Sequence, residues 1–133
     1  MSSFDHVGVS VGDLDRAQAW YERALSLRTE VRFELPEGRG AMLESQDGYR
    51  IELLEHPAST AGLNAADPGT ALLTRGYGHF ALTVPDLDAL YDHLLGVGAA
   101  GVWAPGPSPE PGVRMAFVHD PEGNLIELLE RSR

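Results

Sequence analysis

The chain has 133 residues, 43% of them hydrophobic, which is enough for one compact domain with a core of its own and too little for two ordinary ones. Its 20 Asp and Glu against 10 Lys and Arg give a formal charge of -10, which repels phosphate backbones and anionic lipid, so neither nucleic acid nor membrane is an expected partner. The absence of cysteine excludes disulfides, thiolate metal sites and cysteine nucleophiles, and leaves His and carboxylates as the metal ligands available.

The opening MSSFDH lacks a basic stretch followed by an apolar one, and no apolar run approaches membrane-spanning length, so a cytoplasmic protein is expected. In FDHVGVSV the residues Val7, Val9 and Val11 alternate, the period of a strand with one buried face. A helix follows, capped by Asp13, with Leu14, Ala17, Tyr21, Ala24 and Leu25 at helical spacing. EVRFEL, GAMLES and YRIELLE then read as three strands, the last preceded by the turn residues QDG.

HPASTAGLNAADPGTALLTRGYG is too long for a plain loop and reads as a connection, about residues 58–76, with a helical turn and no chemistry. After it the pattern repeats. GHFALTVPDLDALYDHLLGVG echoes DHVGVSVGDLDRAQAWYERAL, with Asp86 as cap, Leu87, Leu90, Tyr91, Leu94 and Leu95 as stripe, and Gly96 and Gly98 as terminators. GVWA, VRMAFV and NLIELLE supply the remaining strands. The organisation is βαβββ twice, an α+β chain whose modules span about residues 1–57 and 77–133 within a single domain, 1–133.

Alternation assigns the faces. With Val7, Val9 and Val11 toward the helix, His6 looks the other way beside Gly8 and Ser10; His79 does the same beside Ala81 and Thr83. In the two IELLE runs Ile51, Leu53, Ile126 and Leu128 face the helix layer, which turns Glu52 and Glu127 to the opposite side. Any one polar residue on an open sheet face is ordinarily just solvated. Four metal-competent groups at repeat-equivalent positions, flanked by small residues, instead point to a metal site made of His6, Glu52, His79 and Glu127.

Other candidates are set aside. His56, His93 and His119 are expected at the surface, and Glu55 and Glu130 at fraying strand ends without a role. LPEGRG and APGPSPEPG are expected to be turns, with Arg39 or Arg114 available from these rims for an anionic substrate group. Trp20 and Tyr21 read as core or flank of the first helix, and Trp103 and Phe117 as possible stacking groups.

These motifs resemble the vicinal oxygen chelate superfamily, also called the glyoxalase/bleomycin-resistance/dioxygenase superfamily, over nearly the whole chain outside the connection. The resemblance implies two βαβββ modules forming a partly open, cupped β-sheet barrel with helices outside, around a divalent metal chelated by vicinal substrate oxygens. The metal-ligand positions of its glyoxalase I branch fall on His6, Glu52, His79 and Glu127, and the ion would be Ni, Zn, Co, Mn or Fe. The implied activity is that of a metal-dependent lyase or isomerase, working by proton abstraction and a metal-stabilised enediolate. Glu127 would act as base, and Glu52 would take the proton on the opposite face. A homodimer is expected, with the modules paired within one chain or across two. Two glutathione contacts of that branch correspond to Ser10 and His56, so the thiol carrier is left open. Three other readings within the superfamily also stay open: a drug- or metabolite-binding protein of the bleomycin-resistance kind, an acyl-CoA epimerase, and an Fe(II) dioxygenase.

Overall fold

The structure is a computed structural model and describes residues 1–132. The chain divides into two compact units, Met1–Ala61 and Gly62–Arg133, and each carries one four-stranded mixed sheet, neither of them closed.

In the first unit β1 (Val7–Ser10), α1 (Leu14–Leu25), β2 (Arg28–Glu34), β3 (Arg39–Glu44) and β4 (Arg50–Glu55) form a sheet of order β1-β4-β3-β2. β1 runs parallel to β4, while β2, β3 and β4 form antiparallel pairs. α1 packs on β3 and β4, and its buried residues Leu14, Ala17, Trp20, Tyr21 and Ala24 meet a sheet face of Ala41, Leu43, Ile51 and Leu53. Each large side chain of this kind contributes about 1.5–3 kcal/mol on burial. Trp20 and Tyr21 are therefore core, packed edge to face at 4.8 Å, while Leu25 is half-buried.

The second unit begins in the connection, where α2 (Pro68–Ala71) is the expected helical turn, capped by Asp67. Then come β5 (His79–Thr83), α3 (Leu87–Gly96), β6 (Ala100–Pro107), β7 (Val113–His119) and β8 (Leu125–Arg131), in the order β5-β8-β7-β6. Leu87 and Leu94 of α3 are fully buried and Ala116, Val118, Ile126 and Leu128 form the sheet side. Leu95, expected in the stripe, is 41% exposed, because the helix ends one residue later and Gly98, at φ +103°, turns the chain away.

Two further differences concern proline and the connection. β6 runs through Pro105 to Pro107, where turns were expected; it is an edge strand whose register shifts twice against β7, a setting that tolerates the missing N–H. The connection also packs rather than merely spans: Ala65 and Ala71 join Phe117 and Leu125 in an apolar cluster on the sheet face opposite α3. His119 belongs to this contact, its Nε2 lying 2.7 Å from the Ala65 carbonyl, so it is half-buried rather than at the surface. His56 and His93 are exposed as expected. Among the described residues no helix is long and apolar enough to cross a membrane.

Candidate metal centre

Register determines which side chains meet. Gly8 of β1 lies beside Glu52 of β4, and Ala81 of β5 beside Glu127 of β8, so each Glu emerges next to a residue with little or no side chain. A Cβ added at Gly8 would come within 3.6 Å of the Glu52 carboxylate, an ordinary contact. The histidine two positions earlier on the same face then reaches across. His6 Nε2 lies 3.4 Å from Glu52 Oε1, and His79 Nε2 lies 3.4 Å from Glu127 Oε1.

That spacing is long for a good N–H···O bond. Two ligands about 2.1 Å from one ion, at angles between octahedral and tetrahedral, are roughly 3.0–3.4 Å apart, so each pair has the separation of neighbouring ligands in a coordination shell. The side chains are accessible yet sheltered: 32% and 24% exposed for His6 and Glu52, 36% and 17% for His79 and Glu127. Among the described residues no three of His, Asp and Glu gather into a metal-holding group, so the structure brings the four predicted ligands together as two pairs, one in each unit.

The surroundings of the two histidines differ. His6 Nδ1 is 2.6 Å from Asp5 Oδ2, and Arg50 reaches the same carboxylate oxygen at 3.1 Å. The bond from His6 and the charge of Arg50 hold the Asp5 carboxyl below the usual range, and the bond to Asp5 raises the imidazole of His6. A carboxylate on Nδ1 fixes the ring and leaves Nε2 to act as a ligand. Asp5 went unrecognised in the sequence because the repeat hides it: the residue before His79 is Gly78. His79 is instead buttressed by Phe117, whose ring meets it edge-on at 5.1 Å. Phe117 is only 2% exposed, so it supports the site and is not an open stacking platform. Trp103, 41% exposed, lies edge-on to Phe117 at 5.4 Å and remains accessible.

Glu55 and Glu130 are not the idle strand ends expected. Glu55 Oε2 accepts the backbone N–H of Leu14 at 2.6 Å, and Glu130 Oε2 that of Leu87 at 2.8 Å. Each fills an orphan donor in the first turn of its module's helix, while the local caps Asp13 and Asp86 serve Arg16 and Ala89. The arginines proposed as anion binders are held in the same arrangement. Arg39 donates to Glu55 at 2.7 Å and to Asp15 at 3.3 Å; Arg114 grips Asp88 through both terminal nitrogens at 2.9 and 3.0 Å and lies 3.5 Å from Glu130. Arg39 pairs in register with Glu55 and Arg114 with Glu130, which puts both on the helix side of their sheets, away from the His–Glu face.

Comparison with known proteins gives the family. Residues 3–128 match the family described as the glyoxalase/bleomycin resistance protein/dioxygenase superfamily. A probable lactoylglutathione lyase of Synechocystis is 32% identical over 133 residues, covering 96% of this chain and 94% of that protein. A lactoylglutathione lyase of Arabidopsis thaliana is 31% identical over 96% of this chain, which spans 44% of the plant protein's length. Among solved structures, a glyoxylase/bleomycin resistance protein/dioxygenase domain from Frankia superposes with a TM-score of 0.83 at 24% identity, over 100% of this chain and 94% of that one.

Proposed function

Because this chain belongs to the glyoxalase/bleomycin resistance protein/dioxygenase superfamily, we propose that it is a glyoxalase-like lyase or isomerase. It would bind one divalent ion through His6, Glu52, His79 and Glu127 and act on a small substrate with oxygens on adjacent carbons. The observation that carries this reading is the recurrence of the His–Glu pair at the same spacing in both units. The kinship with lactoylglutathione lyases supports the reaction class.

The donor set fits such an ion. Two neutral imidazoles and two carboxylates balance a divalent charge, and a set without thiolate suits Ni, Zn, Co, Mn or Fe(II). Four protein ligands leave two positions of an octahedron for the substrate. The working assembly in this reading is a homodimer, each site taking one pair from a first unit and one from a second, of one chain or of two copies.

When bound, such an ion supplies Lewis acidity toward adjacent substrate oxygens. Glu127 would take the carbon-bound proton at a carboxylate oxygen and return it at the neighbouring carbon, while Glu52, from the other pair, would take a hydroxyl proton on the opposite face and pass it to the second substrate oxygen. Glu127 suits the first role because it is the more enclosed of the two and because Phe117, its partner across β7 and β8, keeps water from that side. Asp5 holds the His6 ring in orientation.

The test is a screen of the metal-loaded chain with α-ketoaldehydes premixed with different thiols, following thioester formation. Metal-dependent turnover with at least one pair supports the proposal; a metal-replete protein inert toward every combination refutes it.

A further inference from the structure

A cleft of about 420 Å³ opens in the first unit, lined by Ser10, Leu35, Pro36, Glu37, Gly38, Leu54, Glu55 and His56. It opens at the end of β4, where Ser10 and Leu54 belong to the face that carries the His6–Glu52 pair. Ser10 pairs in register with Leu54, one step along from Gly8 and Glu52, and two residues of strand place it about 7 Å from that pair. Its outer wall is the turn between β2 and β3, closed by the Leu35 N–H to Gly38 carbonyl bond at 2.9 Å. That turn is seated tightly: a Cβ at Gly38 would fall 2.2 Å from the Glu55 carbonyl oxygen, so only glycine lets it lie against β4.

The polar chemistry of the cleft is one-sided. His56 Nδ1 accepts the Ala58 N–H at 3.0 Å, so in the neutral ring the proton sits on Nε2, which donates to Glu37 Oε2 at 3.2 Å. Glu37 thus meets an imidazole N–H in place of a guanidinium. Glu55, also in the lining, is already matched by Arg39, whose guanidinium is held there and on Asp15. Among the described residues no lysine or arginine lines the cleft. The rest is apolar wall, from Leu35, Pro36 and Leu54.

The second unit shows what a neutralised version looks like. Arg131 stands four residues after Glu127, as His56 stands four after Glu52, and it grips Glu110, in the segment between β6 and β7, with both terminal nitrogens, at 2.7 and 3.3 Å. Each unit carries an acid between its second and third strands; the arginine that meets it in the second unit is an imidazole in the first. The difference leaves one uncompensated carboxylate beside an apolar wall, in a chain whose overall charge of -10 already disfavours anions.

We propose that this cleft is a binding site for an ammonium group carried on an apolar stem, with Glu37 as counter-ion, the Ser10 hydroxyl as a second acceptor, and Leu35 and Leu54 against the stem. Resting on the function proposed above, it seats the end of the substrate remote from the reacting oxygens, about two residues of strand beyond the metal pair, and selects against a carboxylate there. The nearest apolar walls and the single fixed charge make the preference one of sign more than of shape.

The experiment needs neither metal nor turnover, so it succeeds or fails independently of the lyase reading. Hexylamine, hexanol and hexanoate are titrated into the metal-free full chain while backbone amide resonances are followed. The expected result is perturbation centred on Ser10, Gly38, Leu54 and His56, with hexylamine bound at least tenfold more tightly than hexanoate and hexanol between them. Glu37→Gln is expected to reduce the amine-to-carboxylate ratio at least fivefold, and His56→Arg, which copies the pairing of the second unit, to erase it. Equal binding of amine and carboxylate, perturbation elsewhere on the chain, or an unchanged ratio in both variants would overturn the proposal. Amide spectra of the variants that match wild type outside the cleft show that they remain folded.

Discussion

Replacing Glu55 by alanine tests whether the IELLE repeat builds the helices as well as the site. Glu55 is the acceptor for the Leu14 N–H, at 2.6 Å, and Asp13 cannot substitute because its side chain serves Arg16. The side chain of Leu14 is fully buried, so the orphaned donor lies beside the core. Loss of a capping acceptor costs about 0.5–2 kcal/mol, and the helix N-terminus also loses a favourable negative charge. The bond to Arg39 adds little, because that guanidinium is solvent-accessible and keeps Asp15 as a partner. The expected cost is therefore about 1.5 kcal/mol, a fall in Tm of about 6 °C for a chain of this size. Thermal and urea denaturation of metal-free protein, followed by circular dichroism, measures it. Glu52→Ala, on the same strand but facing away from the helix, is expected to change stability by less than about 0.5 kcal/mol. A Glu55→Ala protein as stable as wild type, or a Glu52→Ala protein equally destabilised without metal, would refute the assignment.

Three further outcomes are expected. Stability falls in acid: the bond from Arg39, followed by the Leu14 N–H, holds the Glu55 carboxyl below its ordinary value of 4.5, so its contribution is complete above that pH and disappears as the pH drops through the depressed folded value. Glu55→Gln should flatten this part of an acid-denaturation curve, and an unchanged curve would show that the pairing contributes nothing. Asp5→Ala should weaken divalent-metal affinity by about 10- to 100-fold, measured by competition with a chelating dye, since the carboxylate behind His6 is lost; unaltered affinity would remove Asp5 from the site. Glu127→Gln should lower turnover by at least about 10²-fold while the chain still takes up metal, whereas full activity would exclude Glu127 as the base.

The residues that strand alternation reveals were legible in the sequence, and those set by distant partners were not. Period-two patterning put Val7, Val9, Ile51, Leu53, Ile126 and Leu128 on one face and Glu52 and Glu127 on the other, and the repeat supplied a histidine for each. The pairs His6–Glu52 and His79–Glu127 appear accordingly. What alternation cannot show is what waits on the helix side. Glu55 shares a face with Ile51 and Leu53, and only the approach of a helix N-terminus 41 positions earlier turns that end of strand into a cap. Arg39 and Arg114 looked free for the same reason, since Asp15 and Asp88 reach them only after the helices dock. His119 and Phe117 depended on where the connection folds, which no periodicity within it specifies. Pro105 and Pro107 suggested turns because a breaker reads as punctuation until the strand is known to lie at a sheet edge.

Whether four repeat-related side chains hold one divalent ion, as proposed, is decided by metal stoichiometry. Protein purified without chelator, or stripped and reloaded with Ni, Zn, Co, Mn or Fe(II), is analysed by elemental mass spectrometry beside His6→Ala and His79→Ala. About one ion per chain is expected in the wild type, and its loss in both variants, because each removes a ligand from a different pair. Wild-type protein that binds none of these ions, or either variant retaining a full complement, would contradict the proposal.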